Sequence, residues 1–338
     1  MKVLHSHSLR VVLFSSVALV LLVAAAPCLS VAQEKPQQKA AEPFFCGHRQ
    51  SGMMLLPVTV TDKDNHPIAK LTHDVFTIVD EKTTEKIAYF LADDRPASVG
   101  VLIDLSGSLI NGQPEWLNAA IQGVWQFVQR SNSSNQYFVA GFAGHNELLT
   151  DWTNDAKTVL ESLKKIKAWP RPRDGTALYD ACLFGIEKMP QAANAKRVLL
   201  LITDGKDSDS KHRFDDVHNR LKETDVIVYT LCFVERWLAS FDAQAQRSLA
   251  ELSTVSGGAI VYSITPVELS RTFARFALEL RNQYLIGYYP TNLRRDGKWR
   301  HVKVHIKPAE ITDPSKPNKP AKVMDLKVRT REGYYAIM

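Results

Sequence analysis

Three short segments hold side chains whose type and spacing could bind a cation: Asp104-Leu105-Ser106-Gly107-Ser108, Asp174-Gly175-Thr176 and Thr203-Asp204-Gly205. Asp104, Ser106, Ser108, Thr176 and Asp204 offer carboxylates and hydroxyls, with no Cys or His among them. An all-oxygen set of this kind suits a hard cation, Mg²⁺ first, with Mn²⁺ or Ca²⁺ as alternatives. A hydroxyl lends a lone pair without cancelling charge, so Asp104 and Asp204 at most match the charge of the ion. In octahedral geometry one position is left for an outside ligand, and such a centre invites an acidic side chain from a protein partner. In Asp-x-Ser-x-Ser, alternate residues of a tight loop can face one centre, and Gly107 and Gly205 permit the sharp turns. For any one segment alone, the alternative is that its Asp and Ser residues merely cap helices and turns.

The elements that must position these segments follow from the apolar pattern. Val99 to Leu105 and Arg197 to Thr203 carry continuous apolar runs, the signature of strands buried on both faces of a parallel sheet. Further strands are predicted at Gln136–Phe142, Val226–Phe233 and Ala259–Tyr262, with an edge strand at Glu147–Trp152. Helical periodicity runs through Trp116, Ala119, Ala120, Val124, Phe127 and Val128, and recurs over Ala156–Lys167, Ala177–Met189, Asp215–Lys222, Ala243–Ser253 and Val267–Arg281. This alternation predicts a doubly wound, mostly parallel α/β domain over 97–282, whose functional crevice lies at the carboxyl ends of the strands. Two of the three segments follow such strands directly, and the third opens a helix.

The flanks have a different grammar. Leu55–Asp62, Val75–Val79 and Ile87–Leu91 precede the α/β segment, with the turn-prone Lys63-Asp64-Asn65-His66-Pro67 among them. Tyr284–Tyr289, Val302–Ile306, Met324–Val328 and Tyr334–Ile337 follow it, interrupted by a predicted loop at Pro308–Lys322. Each flank has too few strands to form a comfortable sandwich alone. Residues 53–96 and 283–338 are therefore expected to pair into one small antiparallel β-domain into which the α/β domain is inserted; two independent β appendages are the alternative.

On these residues the chain resembles the von Willebrand factor type A (VWFA) family. Asp104, Ser106 and Ser108, then Thr176 within Gly-Thr-Ala-Leu-Tyr-Asp, then Asp204 in Thr-Asp-Gly, look like that family's complete metal-ion-dependent adhesion site (MIDAS). The segments VTVTDKDNHPIAKLTHDVFTIVDE, DDRPASVGVLID, RNQYLIGYYPTN and REGYYA extend the likeness to exported VWFA-related proteins catalogued chiefly from acidobacteria, so that it covers nearly all of the mature chain, from residue 33 onward. The resemblance implies a Rossmann-like type A domain and a non-enzymatic, cation-dependent adhesion module that binds a partner carboxylate. It implies that Ser106 and Ser108 bind the metal directly, Thr176 directly or through water depending on conformational state, and Asp104 and Asp204 partly through water. Asp174 stands where a second glycine is common and Leu109 where Met is common; neither removes a ligand.

Met1–Arg10 carries Lys2 and Arg10 without an acid, Val11–Ala26 is an apolar run, and Ser30-Val31-Ala32 offers a small-x-small cleavage site. Residues 1–32 are thus expected to be a signal peptide cleaved before Gln33, and the protein to be exported, periplasmic or secreted. An uncleaved anchor and a lipid on Cys28 are the alternatives. No later run reaches a membrane span, and 33–52 reads as a flexible linker. Cys46, Cys182 and Cys232 remain after cleavage; the last two fall on apolar stripes and read as core residues, and whether any disulfide forms among the three stays open.

Of 338 residues, 45% are hydrophobic and 23% charged, which excludes a disordered chain. Without Lys2 and Arg10, 40 basic residues face 36 acidic ones, too small an excess to argue for nucleic acid. Ser106 lacks the G-x-S-x-G setting of a nucleophile, and no phosphate-binding GxxxxGK[ST] occurs. His301 and His305 share the polar face of a strand; Asn132-Ser133-Ser134 fits a glycosylation acceptor. Arg171, Arg173, Lys206, Lys211 and Arg213 form a rim at the metal end of the sheet, partly offset by Asp207 and Asp209. A metal-assisted hydrolase, or an envelope component with a purely stabilising metal, are the rival functions.

Overall fold

The computed structural model describes residues 52–107, 114–167, 175–233, 243–263, 265–307, 310–311, 322–323 and 325–336. The expected signal peptide, the linker up to residue 51, Cys46, Ser108, Leu109, Arg171, Arg173 and Asp174 lie outside them. Among the described residues, no helix is long and apolar enough to cross a membrane.

The amino-terminal flank supplies β1 (Met54–Thr61), β2 (Phe76–Asp80), β3 (Thr83–Glu85) and β4 (Ile87–Ala92). The α/β segment runs β5 (Ala97–Asp104), α1 (Pro114–Arg130), β6 (Gln136–Phe142), β7 (Asn146–Thr153), α2 (Ala156–Lys167), α3 (Leu178–Lys188), β8 (Lys196–Thr203), α4 (Phe214–Glu223), β9 (Ile227–Phe233), α5 (Ala243–Val255), β10 (Ala259–Ser263) and α6 (Pro266–Arg281). The carboxyl-terminal flank gives β11 (Tyr284–Tyr288), β12 (Trp299–Ile306), β13 (Glu310–Ile311), β14 (Lys322–Val323), β15 (Lys327–Arg329) and β16 (Gly333–Tyr335).

The central sheet has the order β10-β9-β8-β5-β6-β7, parallel throughout except for the edge strand β7. Every residue of β5 is buried, as a continuous apolar run requires when helices cover both faces. Val99, Val101 and Ile103 point to the face covered by α1, α2 and α6, where Phe273 and Phe276 are fully buried. Leu102, Leu199 and Leu201 point to the other, covered by α3, α4 and α5. Each such side chain contributes on the order of 2 kcal/mol through removal from water. Cys182 and Cys232 are free thiols buried within the second layer.

Strands from both flanks interleave in two antiparallel sheets, β15-β1-β11-β4 and β16-β12-β2-β3. β1 pairs with β11 from Met54↔Tyr288 to Val58↔Tyr284, and β12 pairs with β2 from Val302↔Asp80 to Ile306↔Phe76. Between the sheets Leu56, Val58, Ile78, Tyr284, Ile286, Tyr288, Val302 and Tyr334 form one core. The Tyr288 and Tyr334 hydroxyls both donate to Asp80 Oδ2, at 2.9 and 2.7 Å, so a buried carboxylate of one flank ties down two strands of the other. The fold is thus a doubly wound α/β domain inserted into an antiparallel β-domain made by both flanks.

Three local differences from expectation have physical causes. β3 is Thr-Thr-Glu, with no apolar alternation to reveal it, and forms because Glu81 turns the chain at φ 55° and returns it along β2. The loop expected at Pro308–Lys322 is bridged near its two ends by the pairing Glu310↔Val323 and Ile311↔Lys322, too short to read from periodicity. The strand expected at Met324–Val328 is instead Lys327–Arg329, because only its last residues reach the register of β1, Thr61↔Lys327 to Thr59↔Arg329.

The end of β15 and the residues after it rivet the two parts together. Arg329 donates to the buried carboxylate of Glu279 on α6. Arg331, itself buried, donates to the carbonyls of Lys222 (3.0 Å) and Thr224 (2.8 Å) at the end of α4 and to that of Gly333 (2.6 Å). The Glu332 N–H reaches the Val255 carbonyl at the end of α5.

Candidate functional site: an all-oxygen centre at the switch point

The order of the central sheet reverses between β5 and β8, and at such a point the loops leaving adjacent strands diverge to opposite faces and open a crevice. Asp104 is the last residue of β5, and Asp204 directly follows β8, whose Ile202 is in register with Ile103. The two carboxylates therefore stand at the carboxyl ends of the two strands that flank the crevice.

Asp104 is completely buried. Its Oδ1 accepts the Ser106 N–H at 2.9 Å and its Oδ2 accepts the Thr203 hydroxyl at 2.7 Å. The Thr203 oxygen accepts in turn from the Gly205 N–H at 3.0 Å. Burial first, and then the negative charge of Asp204, push the Asp104 carboxyl up to about 6 despite these hydrogen bonds. Asp204 is largely shielded; its Oδ1 accepts the Lys206 N–H at 3.1 Å, and its Oδ2 lies 3.8 Å from the exposed Lys206 ammonium. A buried acid whose ionisation is opposed by the neighbouring Asp204, with hydroxyl oxygens beside it, forms a donor set that fits a divalent cation.

Ser106 is buried beside Asp104. Thr176 reaches the same end by main-chain ties on both sides. The Ala177 N–H donates to the Ala143 carbonyl just beyond β6 at 2.6 Å, and the Thr176 carbonyl accepts the N–H groups of Ser208 (2.9 Å) and Asp209 (3.1 Å) in the loop after β8. The Thr176 N–H donates to Ser208 Oγ at 2.9 Å. Gly175 and Gly205 hold φ of 85° and 90°, a region that disfavours any side chain, and a Cβ at Gly175 would sit 1.7 Å from Asp209 Oδ2. The structure thus brings Asp104, Ser106, Thr176 and Asp204 to one end of the sheet; Ser108 lies outside the described residues.

The rim differs from a simple charged border. Asp207 does not merely offset Lys206: it accepts main-chain N–H groups at the start of α3. The turn between β6 and β7 brings the exposed His145 to the same sheet end, which no motif around the three segments had indicated. His301 and His305 are exposed on β12 of the β-domain. Among the described residues, Asp62, Asp64 and His66 also gather ligand atoms within 4.8 Å of one another. There, however, Asp62 accepts the N–H groups of Asp64 and His66 and meets His66 Nδ1 at 3.0 Å, which is the bonding of a tight turn.

The fold and the site together define a doubly wound α/β domain with an all-oxygen cluster at its switch point. The sequence model of the von Willebrand factor type A domain family matches residues 99–206, from the middle of β5 to the loop after β8. The chain carries a von Willebrand factor type A domain. Among solved structures, the chain is similar to a conserved hypothetical protein, BatB, from Bacteroides thetaiotaomicron (15% identity over 54% of this chain and 97% of that one, TM-score 0.44). It is similar to the vWF domain of the type V pili tip protein Mfa5 from Porphyromonas gingivalis (13%, 55% and 95%, TM-score 0.45). It is also similar to a von Willebrand factor type A protein from Catenulispora acidiphila (12%, 88% and 75%, TM-score 0.46). No curated protein matches the chain.

Proposed function

We propose that this protein is an extracytoplasmic, divalent-cation-dependent binding module, in which Asp104, Ser106, Ser108, Thr176 and Asp204 hold Mg²⁺ and the ion engages a carboxylate of a protein partner. The observation that carries this reading is the pairing of a fully buried Asp104 with Asp204 across the switch point, ringed by hydroxyls. A bound ion would supply the positive charge that this pair calls for, and its open position would select an acidic ligand. The chain's own residues do the rest: Thr203 and the Ser106 amide orient the Asp104 carboxylate, and the main-chain ties of Thr176 present its hydroxyl. Of the neighbouring carboxylates, those of Asp207 and Asp180 are engaged by main-chain N–H groups, so a hydrolytic role would fall to His145 as general base.

The test is calorimetric titration with MgCl₂, followed by panning of phage-displayed peptides in Mg²⁺ and in chelator. Saturable Mg²⁺ binding that Asp104→Ala abolishes, with enrichment of Asp- or Glu-bearing peptides that chelator releases, is the expected result. A wild-type chain that takes up no Mg²⁺, or acidic peptides retained equally in chelator, overturns it.

A further inference from the structure

Helix α3 begins at Leu178, two residues after Thr176, and its N-cap residue is Ala177, whose side chain has no oxygen with which to cap. The cap comes from another part of the chain. Asp207 Oδ1 accepts the N–H groups of Leu178 (2.9 Å) and Tyr179 (3.3 Å). Ser210 Oγ accepts those of Tyr179 (3.0 Å) and Asp180 (3.2 Å), and its own hydroxyl donates to Asp207 Oδ1. The exchange is reciprocal. From the first turn of α3, Asp180 reaches back to accept the N–H groups of Lys211 (3.1 Å) and His212 (3.0 Å), and its Oδ1 meets His212 Nδ1 at 2.7 Å. All but the Ser210–Asp207 bond join the segment that carries Thr176 to the segment that carries Asp204.

We propose that Asp207, Ser210 and Asp180 are positioning residues that clamp Thr176 against Asp204 and so set the cation affinity of the site from outside its ligand shell. The inference rests on the cation-site reading above. An ordinary N-cap holds a helix to its own preceding loop; this one holds it to the loop of a different strand, so Thr176 cannot withdraw from Asp204 without uncapping α3. Uncapping removes acceptors from the first N–H groups of the helix, which have no partners within it. The negative Asp207 at the positive end of the α3 dipole adds to the hold.

The experiment titrates Mg²⁺ into the full chain by calorimetry for wild type, Asp207→Ala, Asp207→Asn, Thr176→Ala and the double variant Asp207→Ala/Thr176→Ala, with thermal melts in chelator to show that each folds. Loss of a residue that orients a ligand lowers metal affinity about 10- to 100-fold, and that is the loss expected for Asp207→Ala. Asp207→Asn keeps the Oδ1 acceptor and should recover most of the affinity. Because the clamp acts through Thr176, Asp207→Ala should cost little further in the Thr176→Ala background, a non-additivity that a general loss of stability does not produce. Hydrogen exchange at residues 178–180 should quicken in Asp207→Ala. Should that variant not fold, Ser210→Ala replaces it in the same cycle. Mg²⁺ binding by Asp207→Ala at wild-type strength, or equal losses in both backgrounds, overturns the clamp while leaving the cation site standing. A wild-type chain that binds no Mg²⁺ overturns the cation-site reading, and the clamp's role with it.

Discussion

Asp104→Asn should make the metal-free protein more stable at neutral pH while removing its function. The carboxyl is completely buried and its pKa is pushed from 3.8 up to about 6, by burial and by Asp204. Its protonated form is thus favoured by folding: the associated stability is fully present below about pH 3.8 and is lost as pH rises through about 6. The difference between these values, at about 1.4 kcal/mol per pH unit, puts the penalty of the ionised form at about 3 kcal/mol above pH 6. Asparagine is isosteric, still accepts the Ser106 N–H, and can donate to the Thr203 oxygen in place of accepting from it. Urea unfolding in chelator at pH 7.5 should therefore show Asp104→Asn more stable by up to about 3 kcal/mol, with the advantage shrinking toward zero near pH 4. Adding Mg²⁺ at 100 times its Kd should raise the wild type alone by about 2.7 kcal/mol and cancel the difference. An Asp104→Asn protein less stable than wild type in chelator at pH 7.5, or an advantage that does not shrink in acid, refutes the reasoning.

Arg331→Ala leaves the Lys222, Thr224 and Gly333 carbonyls without their charged donor and should cost about 3 kcal/mol in urea unfolding; a loss under about 1 kcal/mol counts against the rivet. Gly175→Ala forces a Cβ into a backbone at φ 85° and against Asp209, which should cost about 1–2 kcal/mol from the backbone alone and weaken Mg²⁺ binding; unchanged affinity by calorimetry shows that the Thr176 loop tolerates displacement. Deleting residues 325–338 removes β15 and β16 and should open 54–61 to protease; unchanged protection shows that β1 does not depend on the carboxyl-terminal flank.

What could be read in the sequence was whatever a local pattern encodes. β5 and β8 stand out because strands covered on both faces must be apolar throughout, and the motif at each strand end is contiguous. The pairing of the flanks followed from strand numbers alone. What stayed hidden depends on partners distant in the chain. The clamp around α3 joins residues 28 to 32 apart, and Ala177 gives no capping signal, so Asp207 looked like a mere offset to Lys206. The role of Arg331 was not legible, because nothing near it in sequence announces the helix end that it bonds. The turn at Lys63–Pro67 was legible from its residue types, whereas the bonds of the Asp62 carboxylate to Asp64 and His66 were not.

The interleaving of the flanks also constrains the order in which the chain can fold. Tyr288 meets Asp80 across 208 residues of sequence and Tyr334 meets it across 254, so the β-domain cannot close until nearly the whole chain is available. Closing so long a loop in an unfolded chain is slow. The α/β domain removes that obstacle once it is folded, because its two ends emerge side by side: β11, which leaves it, is hydrogen-bonded to β4, which enters it, at Tyr284↔Ala92. A folded insert shortens the effective loop to a few residues and delivers β11 to its partners, acting as a template for the domain that surrounds it. Variants that slow folding of the central sheet should therefore delay the β-domain as well, whereas variants confined to β12 or β16 should leave the α/β domain to fold at its own rate.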